Sequence, residues 1–256
     1  MIYNEFKTFV YNGKKSSEIG VVIAKRPTCY VAQPDIVPET IAGRSGDVIV
    51  NNNRFKNIEI TIKVRAMPKF CNLSLQQFKN KLSEWLMSED VAEYKKLKLS
   101  YYPNYYRKAV VTNITEIVAV YKNIYETEIT FLCDPFLYSE DGLKEKNIIS
   151  GEIINYTYTI YNPEKWESEP IMTVNGNGTF AISINGETMT IVLNSTAVVI
   201  DKQQENVYYK STGTSCNSLL IANKIPNLKP GANDITITSS VAANFSMSLI
   251  PNWRRL

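Results

Sequence analysis

The sequence predicts a mainly β protein of two domains, an α+β N-terminal domain with one helix followed by an all-β sandwich. Three observations carry this. Residues 55–64 and 125–133 alternate apolar and polar side chains with period two, the pattern of half-buried strands. Asn-Gly dipeptides at 12–13 and 185–186 sit between β-rich runs, where a tight hairpin needs positive φ. Only residues 74–86 show apolar spacing of three and four.

In chain order, residues 6–11 read as a strand, Asn12-Gly13 as a turn and residues 18–23 as its return. The Pro- and Gly-punctuated stretch 27–47 reads as a long loop. The strand at 55–64 places Ile58, Ile60, Ile62 and Val64 on one side and Glu59, Thr61 and Lys63 on the other. Ser74-Leu-Gln-Gln77 is a capping-box sequence. Behind it Leu75, Phe78, Leu82, Trp85 and Leu86 form the apolar stripe of an amphipathic helix.

Strands are expected again at 96–102, 108–112 and 125–133, the last stopped by Asp134-Pro135, since proline cannot donate to a ladder. The charged run 139–146 predicts a linker. The boundaries expected are 1–138, a linker at 139–150, and 151–256. Beyond it come a hairpin at 179–193 about Asn185-Gly186 and short strands at 154–160, 197–200, 235–237 and 245–250, the spacing of a β-sandwich.

The chain has 256 residues, 44% hydrophobic and 21% charged, with net charge +3 and dispersed Lys and Arg. This is globular composition without the basic stripe of a nucleic-acid binder. The N-terminus lacks the layout of a secretory signal, and apolar runs such as 197–200 are far too short to span a bilayer. Cys29, Cys71, Cys133 and Cys216 are widely spaced with no Cys-x-x-Cys pair. Buried free thiols are expected, rather than zinc or redox chemistry, with folding in a reducing compartment.

There are no histidines, which removes Ser-His-Asp and Cys-His sites and histidine-ligated metals. Asp and Glu alternate along strand faces or cluster in the linker, as solvated surface does. No enzyme activity, cofactor or metal is expected. Gly43-Arg44-Ser45-Gly46-Asp47 lacks the spacing and the strand-to-helix setting of a phosphate loop and reads as a tight turn. Trp166 could stack on a sugar, so a carbohydrate-binding adhesion module is the alternative reading, though aromatics in a sandwich more often fill core or interface. The sixteen tyrosines, including Tyr101-Tyr102 and Tyr105-Tyr106, suit a subunit interface.

Several phrases together resemble the distal tail protein family of long-tailed phages. They are Ser17-Glu-Ile-Gly-Val-Val-Ile23 followed by Ile41-Ala-Gly-Arg-Ser-Gly-Asp47; the helix ending Trp85-Leu86 with Tyr106-Arg-Lys-Ala-Val110; and Phe131-Leu-Cys-Asp-Pro-Phe-Leu-Tyr138. A C-terminal set follows: Glu167-Ser-Glu-Pro170, Val199-Ile-Asp201, Ile225-Pro-Asn-Leu-Lys-Pro-Gly231 with Asn233, and Pro251-Asn-Trp-Arg-Arg-Leu256. Asn162-Pro-Glu-Lys departs from the glycine-containing turn expected before Glu167. The resemblance implies a ring-forming N-terminal domain, a galectin-like C-terminal sandwich and a hexamer at the distal end of the virion's tail, assembled in the host cytoplasm. It further implies contact with tail tube, tail hub, tape measure and receptor-binding proteins, and DNA passing only through the lumen. A ring needs two different faces of one subunit to meet. The turn Gly43, Arg44, Ser45, Gly46 and Asp47 is the interface expected, and Trp253-Arg254-Arg255 is expected to anchor the last strand. A galectin-type galactoside site, as that family is known, needs a histidine this chain lacks.

Overall fold

The computed structural model describes residues 7–28, 31–67, 72–87, 92–221 and 225–256. It is mainly β, with one α-helix among the described residues. Two compact units divide it, one ending at Leu137 and including Leu256, the other Tyr138–Arg255.

The first unit contains β1 (Phe9–Tyr11), β2 (Lys14–Lys15), β3 (Val21–Ile23), β4 (Pro34–Glu39), β5 (Val48–Phe55), β6 (Ile58–Ala66), α1 (Leu75–Leu86), β7 (Lys95–Leu99), β8 (Tyr105–Ile114), β9 (Val118–Tyr121) and β10 (Ile124–Cys133). Its sheet has the order β2-β1-β7-β8-β10-β6-β3, with β9 paired to β10. The spine is a nine-pair antiparallel ladder from Ile58↔Cys133 to Ala66↔Tyr125. Its inward residues Ile58, Ile60, Ile62, Val64, Ile129, Phe131 and Cys133 are buried, as period-two alternation requires.

Helix α1 lies against this sheet by four of the five residues of the stripe read from its sequence; Leu75, the first of them, stays 45% exposed. Phe78, Leu82, Trp85 and Leu86 are buried, Trp85 stacks on Phe9, and the Trp85 indole N–H donates to the Tyr11 carbonyl at 3.0 Å. Burial of such side chains contributes roughly 1.5–3 kcal/mol each. At the helix start, the Ser74 hydroxyl accepts from the Gln77 backbone N–H and the Gln77 side chain accepts from the Ser74 N–H. Both halves of the capping box are made.

Three expectations for this unit need correction. Asn12 and Gly13 do adopt positive φ, but the return strand is the two-residue β2, not residues 18–23. A short 3-10 helix, Ser16–Ile19, ends on left-handed Gly20 and carries the chain across to β3, which pairs with β6 at the other edge. The stretch expected as a loop over 27–47 contains β4, which pairs with β5 into a separate two-stranded sheet. Two prolines hid that strand, yet both are tolerated where a strand lies at an edge. Strand β9 went unread because its short apolar run lacks alternation. The expected residue Phe6, and Cys29 and Cys71, lie outside the described residues.

The second unit contains β11 (Leu137–Ser139, whose last two residues fall here), β12 (Lys146–Asn162), β13 (Ile171–Ile184), β14 (Glu187–Asn194), β15 (Val198–Asp201), β16 (Asn206–Tyr209), β17 (Leu220–Ile221), β18 (Gly231–Ile250) and β19 (Arg254–Arg255). Two strands expected at 235–237 and 245–250 are one 20-residue strand, β18. The spacing misled because its middle, residues 239–244, lies where no apolar side chain is needed. Each of the three long strands changes neighbours or register part-way. β13 pairs with β15 over Ile171–Val174 and with β14 over 177–184. Register shifts at Gly176/Phe180 and Ile153/Asn155 mark the crease, where Gly178 holds φ 122°, a conformation costly to residues with a Cβ.

A single hydrogen-bonded sheet is thereby doubled over into two layers. Phe180 from one half meets Phe245 from the other at 4.5 Å between ring centroids, and Met172, Ile182, Ile191, Ile237 and Leu249 fill the same core. The turn Asn185-Gly186 has φ 52° and 85°, as the sequence predicts.

The segment expected as a linker, 139–150, is built into this unit instead. Residues Asp141–Leu143 form a 3-10 turn and β12 begins at Lys146. Its charges pair locally, Lys144 with Asp141 at 2.9 Å, so a charged run here marks a folded surface turn. The C-terminal residues behave as anchors: Trp253 is buried, its carbonyl accepts from the Ser139 N–H at 2.8 Å, and Arg254 pairs with Glu169 at 2.8 Å.

Candidate assembly surfaces

Strands β4 and β5 form an arm. Phe55 packs edge-on against Phe136 at its base, with ring centroids 6.1 Å apart. The Arg54 Nε donates to Asp35 at 2.6 Å, with Lys56 at 3.7 Å from the same carboxylate. These hydrogen bonds and cations hold the Asp35 carboxyl below its ordinary value. Beyond the base nearly every residue is exposed.

The arm is nonetheless apolar on both faces. Val37 stands opposite Val50, while the next pairs along, Ile36 with Asn51 and Pro38 with Ile49, point the other way. Ile49 is 58% exposed, Val37 44% and Ile36 42%. Isolated two-stranded hairpins are marginal in water, and apolar residues on both faces add a hydration cost that only a covering surface removes. Pro34 and Pro38 withhold donors from the β4 edge, which disfavours strand addition there.

The predicted residues Gly43 to Asp47 lie in the connection at the tip of this arm. All five are exposed. The Thr40 hydroxyl donates to the Asp47 carboxylate at 2.8 Å and the Arg44 N–H to the Ile41 carbonyl at 3.2 Å, while Gly43 and Gly46 both hold positive φ. Sequence reasoning found the tip but missed the apolar strands behind it. Their signal was present as Ile36-Val37 and Val48-Ile49-Val50.

A second surface lies between α1 and the β8–β9 connection, a groove of about 540 Å³ lined by Leu75, Lys79, Leu82, Met87, Ile114 and Ile117. Its floor is fixed by Thr115, whose N–H donates to the Glu128 carbonyl at 2.9 Å and whose hydroxyl accepts from the Glu128 N–H at 3.0 Å. In the second unit a polar cavity of about 650 Å³ follows the crease, lined by Ser150, Asn175, Asn177, Ser195 and Asn244. Trp166 is not part of it. That residue is half-buried in the turn after β12, where the Asn162 side-chain amide donates to its carbonyl at 3.0 Å and Asn162 Oδ1 accepts from the Glu164 N–H at 2.9 Å. The asparagine shapes the turn for which a glycine was expected.

Among the described residues no group of three or more His, Cys, Asp or Glu is placed to hold a metal ion, and no helix is long and apolar enough to cross a membrane. Cys133 and Cys216 are buried and free. Desolvation pushes the Cys133 thiol up to about 12 and raises that of Cys216.

A profile of the family described as phage tail protein N-terminal domain matches residues 4–135. The chain belongs to this phage tail protein family. Its fold is also that of the distal tail protein of phage SPP1, Dit (gp 19.1), described as a paradigm of the hub adsorption apparatus in phages infecting Gram-positive bacteria. The two structures superpose with a TM-score of 0.68 at 14% identity, covering 98% of this chain and 100% of the other. Comparison with curated protein sequences finds no significant match. The family match covers the unit that carries the arm and the groove. A phage tail protein works in the virion's tail among other tail components, so such exposed apolar surfaces fall on a protein made to assemble.

Proposed function

We propose that the chain is a non-enzymatic structural subunit of the phage tail tip whose copies close head-to-tail into a ring, six by the family resemblance. The ring joins the tail tube to the hub and receptor-binding apparatus, and its lumen passes the tape measure protein and then DNA. The subunits assemble in the host cytoplasm. The second unit is the galectin-like domain of that resemblance, carried on the ring.

The observation that carries this reading is the β4–β5 arm, exposed beyond its base and carrying apolar residues on both faces. A closed ring of heterologous contacts covers such an arm in every subunit and leaves no end from which a fibre could grow. The Gly43–Asp47 tip then lies within the contact, and its two positive-φ glycines let the chain reverse without bulky side chains.

Mass photometry of the purified chain, alone and with tail tube and hub proteins, tests the reading. A discrete oligomer with a central hole in negative stain is expected. A monomer under all these conditions overturns it.

A further inference from the structure

We propose that the polar crevice along the crease of the second unit binds a short segment of neutral glycan. The reading concerns a single copy of the chain and does not depend on closure of a ring.

The fold gathers the lining from three neighbouring strands. Ser246 of β18 pairs with Ser150 of β12 on one side and with Asn175 of β13 on the other. Asn244 and Asn177 stand two residues further along their strands, on the same face. Ser195 lines the crevice in a left-handed conformation, φ 63°, which is costly to a residue with a Cβ. Its N–H donates to the Gly176 carbonyl at 2.7 Å. The floor is closely packed: a Cβ on Gly176 would lie 3.0 Å from the Phe180 ring and 3.1 Å from the Asn244 carbonyl oxygen. The crevice is therefore formed before any ligand arrives, which lowers the ordering cost of binding.

The lining side chains are uncommitted. Among the described residues, Ser150, Asn175, Asn177, Ser195, Asn244 and Ser246 make no side-chain hydrogen bond within the chain. Other asparagines of this unit are spent on structure. Asn162, Asn185, Asn206, Asn217, Asn233 and Asn252 all engage backbone or side-chain partners. In the crevice, carboxamides and hydroxyls converge instead on a space of about 650 Å³, within the usual range of ligand pockets.

That chemistry selects the ligand. Every polar side chain of the lining is neutral, so a phosphate would find no opposite charge to offset its dehydration. Glu152, opposite Asn244 on the ladder, is not part of the lining. Sugar hydroxyls both donate and accept, as the side chains of Asn and Ser do. Val241, 66% exposed, adds with Ala242 and Ala243 an apolar strip for the C–H face of a sugar ring. An extended peptide would need an open strand edge, whereas the strands at Ser150, Ser246 and Asn175 pair with one another.

The test is saturation-transfer difference NMR and isothermal titration of the full-length protein with chitotetraose, cellotetraose and maltotetraose. Chitotetraose stands for an N-acetylated wall backbone and the others for a hexose polysaccharide, so the sugar that binds names the source. Saturable binding of at least one is expected. Asn175→Ala and Asn244→Ala are each expected to weaken it about fivefold, the worth of one hydrogen bond. Both positions are exposed, and circular dichroism melts matching the wild type establish that the variants fold. Asn177→Trp, which fills the crevice, is expected to abolish binding, and Trp166→Ala to leave it unchanged. The proposal is overturned if none of these sugars binds, or if a glycerol phosphate tetramer or an uncharged peptide binds more tightly. Binding indifferent to the crevice substitutions overturns it as well. A monomer that binds glycan would defeat the ring reading alone, and a ring that binds none would defeat only this proposal.

Discussion

A Cβ built on Gly142 would lie 2.4 Å from the backbone nitrogen of Trp253. The 3-10 turn after β11 and the C-terminal segment therefore touch backbone to backbone, and Trp253 fills the core beneath them. Gly142→Ala must push one segment off the other. We expect a loss of about 1–3 kcal/mol, the usual cost of overpacking a close contact, read as a lower urea midpoint for the second unit. An unchanged midpoint would show that the turn can shift freely.

Phe180 and Phe245 join the two halves of the folded sheet. Phe180→Ala is expected to destabilise the second unit by about 3–5 kcal/mol. Tryptophan fluorescence of the buried Trp253 reports it during denaturation. Loss well below this range would mean that the crease, rather than the core, holds the layers together.

Ser74→Ala removes one arm of a capping box whose reciprocal bonds are both present. The expected cost is about 1 kcal/mol, together with faster amide exchange in the first turn of α1.

Glu126 accepts hydrogen bonds from Arg65 and lies 3.0 Å from Lys63. These contacts hold its carboxyl below the ordinary 4.5. A lowered folded value means that the stabilisation is fully present above the unfolded value and disappears as pH falls through the folded one. The urea midpoint of the wild type should exceed that of Glu126→Gln at pH 7. The gap should close below pH 4.5, and a gap independent of pH would assign the effect to packing.

Cys133, buried in the first unit and with its thiol pushed up to about 12, should resist alkylation by iodoacetamide at pH 8 in the native protein. Peptide mass spectrometry would find it unmodified until denaturant is added. Rapid native labelling would mean that the ladder at Ile58↔Cys133 opens readily.

Much of this fold was legible residue by residue. Period-two runs at Ile58 to Val64 and Tyr125 to Cys133, the Ser74–Gln77 cap and the Asn185-Gly186 turn all act over a few residues, and local spacing records them. The elements that eluded reading depend on distant partners. β4 has prolines that weaken any strand signal, and it exists because β5 pairs with it. β18 looked like two strands because its middle crosses a crease set by β13 and β12. Residues 139–150 looked like a linker because charged side chains mark solvent without marking disorder.

For function, the sequence by itself determined that no histidine is present for catalysis or metal binding, and its scattered phrases were enough to suggest a tail protein. The tip at Gly43 to Asp47 could be picked out from its glycines. Only the tertiary structure decided that this tip ends an apolar arm and that Leu75, Met87 and Ile114 line one groove. Such surfaces are made by residues far apart in the chain, and whether an isoleucine is covered or bare depends on what the rest of the molecule leaves beside it.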